Sequence, residues 1–296
     1  MKVGHHPSPA DSSGIVDFRP AVQMATGLIL RRFAPCALLR PYVQCFWQAR
    51  GRASSEAAGV ELLHPDGATG LLFNFGGVLE RDGEQLRAVC WVDGPKRRTA
   101  RLAVGETLDL LGVRFLPGMA LPFVGEALSG LAGAELVAGD ALRRLELDLL
   151  QERLFETPEL AERIALLEHY LLARLRQAER VPVALRSSLG WLQRHRGQAS
   201  IAALIDELPF GQRHLERLFQ RHVGLSPKRY ARLLRVAHCR QLIKQCGAAN
   251  SLTDTAFVAG YCDQSHFIHD FKAVTGFTPG GYLDHVRRRY GREAQP

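Results

Sequence analysis

Two textures of apolar spacing divide the chain. From about Ala21 to Leu136 the apolar residues come in short runs, LLFNFGGVLE, AVCWVDGP and LDLLGVRFLPG, punctuated by Gly, Pro and Asp-Gly. Runs of that length, with Phe, Val and Trp, predict strands joined by turns, and Asp82-Gly83 predicts a hairpin. After Gly139 the spacing changes to three and four. Leu142, Leu145, Leu149 and Leu150 share one helical face, and Leu160, Ile164, Leu167, Leu171 and Leu175 share another. Thr157-Pro158 reads as the N-cap and first position of the second helix, with Glu159 following. The two stripes are expected to cover the sheet or to meet a second subunit. Ala178 to Val183 then supplies a polar break with a Pro, a linker.

Beyond the linker the helical spacing persists in short pieces. Leu185, Leu189 and Leu192 predict a helix that reaches His195 and ends at Gly197. Ser200 caps a short helix burying Ile201, Leu204, Ile205 and Leu208, and Pro209-Phe210-Gly211 breaks it. The next helix buries Leu215, Leu218, Phe219 and His222 or Val223. It exposes Gln212, Arg213, Glu216, Arg217, Gln220 and Arg221. Ser226-Pro227 opens a long helix through Tyr230, Leu234, Ala237 and Leu242 to Cys246-Gly247. The plan then repeats: GQRHLERLFQRHVGLSPKRY returns about 50 positions later as DQSHFIHDFKAVTGFTPGGY. In this second copy Asn250 or Ser251 caps a helix containing Leu252, Ala256 and Ala259, Gly260 ends it, and Asp263 caps the next. That helix buries Phe267, Phe271 and Val274 and presents Gln264, Ser265, His266, His269 and Lys272.

The fold class is therefore α+β: a β-rich, barrel-like N-terminal domain, a helical connector, and an all-α C-terminal domain with two helix-turn-helix units joined by a long helix. Boundaries follow the changes of texture: a flexible tail at 1–20, the β-rich domain at 21–138, the connector at 139–180 and the all-α domain at 183–290. A helix of roughly 20 residues at about 1.5 Å each separates the units by about 30 Å. One turn of duplex is about 34 Å, so the two units could enter successive faces of the major groove.

Charge narrows the partner. The chain of 296 residues has a formal net charge of +8, yet residues 182–296 carry 17 Lys and Arg against 8 Asp and Glu. The remainder is close to neutral, so the excess positive charge lies where the two units are, as expected for a polyanion-binding module. Base readout is expected from Arg213 and Arg217 in the first unit and from Gln264 in the second, where His266 and His269 could touch bases or phosphates. Arg can pair with guanine and Gln with adenine. Gln212, Gln220, Arg221, Lys228, Arg229 and Lys272 suit phosphates and would set position.

Other chemistries find little support. No run of about 18 apolar residues is present to span a bilayer, and MKVGHHPSPADSSG lacks the apolar core of a signal peptide, so the cytoplasm is expected. Cys36, Cys45, Cys90, Cys239, Cys246 and Cys262 are scattered without zinc spacing and read as reduced, mostly buried thiols. His64 and Asp66 in LLHPDG, and the His266/His269 pair, lack the further ligands a metal needs. No motif of a hydrolase, phosphate-binding loop or dinucleotide site appears. Neither metal nor cofactor is expected, and the protein reads as no enzyme. The rival from another class is an alkyl-group acceptor using Cys36 or Cys45 beside a DNA-binding module. A third reading is a plain architectural binder, which a solidly filled first domain would support and a pocket would oppose.

The segments LERLFQRHVGLSPKRYARLLRVAHCRQLI and GYCDQSHFIHDFKAVTGFTPGGYL resemble the DNA-binding domain of AraC/XylS-type transcription regulators. Gly260, Gln264, Ser265, Phe267, Phe271, Lys272, Gly276, Pro279 and Tyr282 fall in order at the family's spacing over roughly residues 183 to 285. The resemblance implies a sequence-specific regulator with double-stranded operator DNA as partner, with base contacts from Arg213, Glu216 and Arg217 in the first unit and from Gln264, Ser265, His266 and His269 in the second. It also implies RNA polymerase as a partner if the protein activates, and an effector or a homodimer acting through the first domain. RPYVQCFW, HPDG, DGP and LLGVRFLPG are similar to an N-terminal domain of undefined role found in some members. Thr255, Asp270 and Leu283 depart from the family's pattern. The first two are expected to loosen the second unit, because an unpaired buried carboxylate is costly.

Overall fold

A computed structural model describes residues 17–23, 28–52, 60–104, 107–125, 146–246 and 252–290. The apolar runs of the first half form ten strands: β1 (Asp17–Gln23), β2 (Ile29–Phe33), β3 (Val43–Arg52), β4 (Val60–Leu63), β5 (Gly70–Asn74), β6 (Leu79–Arg81), β7 (Glu84–Leu86), β8 (Cys90–Asp93), β9 (Ala100–Val104) and β10 (Thr107–Phe115). The first of them begins inside the stretch expected to be tail. All pairings are antiparallel. One sheet has the order β1-β2-β3-β10-β5-β8, the other β4-β9-β6-β7. Asp82 and Gly83 form the expected hairpin turn, both with positive φ, which is what a tight two-residue connection requires.

Strand β10 shows why the runs lack a clean polar alternation. Leu108 and Leu110 face the second sheet, whereas Leu111, Val113 and Phe115 point the other way into a core with three helices. Both faces are covered, so both are apolar. Gly112 on this strand stands opposite Trp47, and a Cβ there would come within 2.3 Å of the indole.

Those helices are α1 (Leu121–Val124), α2 (Leu147–Glu156) and α3 (Leu160–Gln177). Ile164, Leu167 and Leu171 are buried against the six-stranded sheet with Leu147, Leu150 and Leu154, so the stripes cover the sheet, the first of the two expected roles. Leu149 is 58% exposed, because the buried face of α2 runs through Leu147, Leu150 and Leu154 instead. Leu142 and Leu145 lie outside the described residues. Thr157 does not cap α3. Its hydroxyl donates to the Arg153 carbonyl, 2.8 Å away, so it finishes α2, while Glu159 is the N-cap of α3.

The C-terminal domain comprises α4 (Val183–Arg194), α5 (Ile201–Asp206), α6 (Gln212–His222), α7 (Pro227–Cys246), α8 (Leu252–Val258), α9 (Gln264–Thr275) and α10 (Pro279–Tyr290). Ser200 caps α5 by accepting from the Ala203 amide, and Asp263 caps α9 by accepting from the His266 amide. The expected cap at Asn250 or Ser251 lies outside the described residues. Helix α4 ends at Gly197, whose φ is +69° and whose missing Cβ leaves room for the Ala231 carbonyl of α7.

The two domains pack together. Met119 is buried in the C-terminal core, which also takes in Tyr42 and Leu116. Gly67 carries φ +77° and lies against the Tyr230 ring of α7, where a Cβ would sit at 2.7 Å.

Candidate nucleic-acid interface

Helix α6 is amphipathic because its apolar residues recur at three and four. Leu215, Phe219 and His222 are buried, and Leu218 is half-buried. Gln212, Arg213, Glu216, Arg217, Gln220 and Arg221 are all exposed, as the spacing demands. Within this face Gln212 donates to the Glu216 carboxylate at 2.8 Å, and Arg221 pairs with Glu179 at 3.1 Å. Burial, with the nearby Arg221 cation, holds the His222 imidazole below its ordinary pKa, so it is a neutral core group in the folded protein.

Lys228 and Arg229 are exposed on the first turn of α7, just past the turn that ends α6. In the second unit, Gln264, Ser265, His266, His269 and Lys272 are exposed on α9 over buried Phe267, Phe271 and Val274. Each expected base- or phosphate-contacting side chain is therefore on the surface, grouped on α6, on α9, and on the start of the helix between them.

Asp270 is not the unpaired buried carboxylate expected to loosen the second unit. The residue is 1% exposed, but its carboxylate is not alone. Arg232 Nε lies 3.0 Å from it and Arg235 3.8 Å, both from α7, and His266 Nε2 lies 3.4 Å away on α9 itself. Neither carboxylate oxygen has an aligned hydrogen bond, so the attraction is carried by charge. Ionic pairing ties α9 to α7. One consequence is that His266 serves two neighbours: half its ring faces out, and its Nε2 faces the buried carboxylate. The signal was visible as the spacing of Arg232 and Arg235 and of His266 and Asp270, but only tertiary packing joins the two pairs.

The β-rich domain holds a second feature. A cavity of about 470 Å³ opens between the two sheets, walled by Trp47, Trp91 and Leu110. One end is ionic: Arg81 donates to Asp93 at 3.0 Å, and the Lys96 ammonium pairs with the same carboxylate. Burial alone would raise the Asp93 carboxyl, but Lys96 and Arg81 outweigh it and hold the group below the usual range. Ala237 and Arg240 of α7 complete the wall, so the C-terminal domain touches the cavity directly. His64 is structural, its Nδ1 lying 2.7 Å from the Thr99 hydroxyl, and Asp66 accepts from the Ala68 amide and pairs with Arg114.

Of the described thiols, Cys45, Cys90 and Cys239 are buried, Cys36 is half-buried, and Cys262 is exposed, contrary to the expectation for most of them only in this last case. Burial, with Asp148 nearby, pushes the Cys90 thiol up to about 12. Among the described residues no group of three His, Cys, Asp or Glu could hold a metal ion, and no helix is long and apolar enough to cross a membrane.

Residues 190–285 match the family model of a helix-turn-helix domain, and residues 31–136 match that of a domain of unknown function. The HTH-type transcriptional activator RhaS of Escherichia fergusonii is 32% identical over 102 residues, covering 34% of this chain and 36% of that protein. RhaS of Pectobacterium atrosepticum is 29% identical over 96 residues, 32% of this chain and 34% of that protein. The chain thus spans about a third of the length of these relatives. Among solved structures, ToxT of Vibrio cholerae aligns over 81% of this chain and 98% of its own, at 11% identity and a TM-score of 0.43. A probable AraC family transcriptional regulator from Rhodopseudomonas palustris covers 36% of this chain and 98% of its own, at 23% identity and a TM-score of 0.33. The C-terminal third of this chain is a helix-turn-helix domain, folded as two such units joined by α7, and it stands behind a β-rich domain that matches a family with no assigned role.

Proposed function

We propose that the protein is a sequence-specific, DNA-binding transcription regulator whose β-rich domain takes a small-molecule effector. The observation that carries the DNA reading is the pair of exposed polar and basic faces on α6 and α9, the second helices of two units that the 20-residue helix α7 joins along the chain. Phosphate contacts from Lys228, Arg229 and Lys272 would fix position, and Arg213, Glu216, Arg217, Gln264, Ser265, His266 and His269 would reach base edges. Selection of bound duplexes from a random pool, followed by footprinting, tests it. The expected result is two protected major-groove segments about one duplex turn apart. A protein that enriches no sequence, or protects a single segment, would overturn the reading.

Effector control is supported by the cavity, since a solidly filled β domain would have favoured an architectural binder. Its size suits a small organic molecule with an apolar body and polar groups. A ligand there would regulate only by favouring one arrangement of the domains over another, and the α7 residues in its wall give it something to act on. Filling the cavity by Ala49→Phe is expected to leave duplex binding intact while abolishing any change produced by a small-molecule extract of the host cell. An unchanged response in that variant would remove the cavity from the reading.

A further inference from the structure

The loop between β8 and β9, residues 94–99, belongs to the β-rich domain but is fastened to the second recognition helix. Thr99 donates twice to the Val274 carbonyl on the last turns of α9, from its amide at 2.8 Å and from its hydroxyl at 3.1 Å. At its other end Lys96 is held on Asp93 inside the domain. Between these anchors Arg97 and Arg98 are both exposed.

Each of the two arginines sits beside a cation already expected to meet phosphate. At the start of α7, burial first and then the nearby Arg97 and Arg232 cations hold the Arg229 guanidinium below its ordinary pKa. Arg98 lines the same surface groove as Lys272 of α9. Glu80 and Asp82 line that groove too, but Arg101 stands there with Arg98 and Lys272, so cations outnumber carboxylates three to two. Like charges gathered on one surface repel one another unless an anion comes between them, and a phosphodiester backbone is such an anion.

We propose that the 94–99 loop is a third DNA-contacting element, in which Arg97 and Arg98 of the β-rich domain bind backbone phosphates alongside Arg229 and Lys272, between the segments entered by α6 and α9. The proposal rests on the DNA-binding reading above and extends the interface into a domain that has no recognition helix. It also gives the cavity domain a route to affinity: Lys96, one residue before Arg97, belongs to the ionic end of the cavity.

The test uses the full-length chain and a duplex obtained by the selection described above, with the dissociation constant measured over a range of salt concentrations. Each phosphate contact contributes about 0.9 to the slope of log affinity against log salt. Arg97→Ala combined with Arg98→Ala is therefore expected to reduce the slope by about 1.8 and to weaken cognate and unrelated duplexes by a similar factor. Arg97→Lys with Arg98→Lys should keep the slope, and Arg153→Ala, on exposed α2 away from the loop, should change neither slope nor affinity. Thermal melting of the double alanine variant at the wild-type midpoint shows that the fold is retained. An unchanged slope in that variant, or tighter binding as though the loop shielded the DNA face, would overturn the proposal. Failure of the wild-type chain to bind any duplex would instead sink the DNA reading itself.

Discussion

The two helix-turn-helix units share one sequence pattern and are held in place by different physics. In the first, α6 rests on Leu215, Phe219 and Val223, all fully buried, and the unit meets the β-rich domain through close apolar approaches at Gly67 and Gly118. In the second, Phe267, Phe271 and Val274 supply the apolar frame, but a buried carboxylate and two arginines are set into it, and the β-rich domain is joined by hydrogen bonds to Val274 and by the His64–Tyr282 ring contact. Apolar contact is tolerant of small displacements, whereas hydrogen bonds such as those from Thr99 to the Val274 carbonyl fix direction. The first unit is thus seated by packing. The second has polar links to both α7 and the other domain.

The largest effect that would sharpen this contrast is Asp270→Ala. Removing one partner of a buried ion pair typically costs about 3 to 5 kcal/mol. Arg232 and Arg235 keep some access to water, so about 2 to 3 kcal/mol is expected from urea unfolding of the C-terminal domain. A loss below about 1 kcal/mol would show that the cluster does not hold α9 on α7.

Arg217→Ala is expected to weaken cognate binding by about 1 to 3 kcal/mol and to change non-specific binding much less, while His269→Ala in the second unit costs under about 1 kcal/mol. Equal losses for Arg217→Ala on both kinds of duplex would assign it to phosphate. A larger loss at His269 would reverse the ranking of the units.

Two glycines with positive φ separate strain from contact. Gly67→Ala meets the Tyr230 ring as well as the strained backbone, whereas Gly276→Ala meets nothing within 4 Å. The second should cost about 1 kcal/mol and the first about 2 to 3, read as shifts in unfolding midpoint. Equal costs would mean that the interdomain approach at Gly67 is not tight.

The smallest effect is on pH dependence. Burial and Arg221 depress His222, and burial and Arg196 depress His238, so each folded-state pKa lies below the ordinary imidazole value of about 6.5. The unfolded chain therefore takes up protons first as the pH falls, and stability present above about pH 7 is lost as the pH drops through 6.5 towards the folded values. Melting temperatures measured from pH 7.5 to 5.5 should decline, and His222→Gln should flatten the decline. A midpoint that rises on acidification would contradict the sign.

Local rules made much of the C-terminal domain legible. Ser200 and Asp263 cap the helices expected of them, Gly197, Gly260 and Gly276 adopt positive φ where helices stop, and the exposed face of α6 is the one its spacing marks out. The connector was read less well. Thr157-Pro158 satisfies the rule for a helix start, but the Thr157 hydroxyl had a nearer carbonyl to bond in the helix before it. Leu149 was placed on the buried face because four leucines crowd a short stretch, and spacing alone does not choose among overlapping stripes.

The sequence by itself determined where helices and strands form, which residues of α6 and α9 face outward, and that positive charge gathers in the last third of the chain, because periodicity, caps and composition are short-range properties. Only the tertiary structure decided that Asp270 is paired, that Arg97 and Arg98 lie beside Arg229 and Lys272, and that α7 walls a cavity in the other domain. Those are meetings of residues tens to more than a hundred positions apart, and such meetings are set by how the layers pack, which no local pattern encodes.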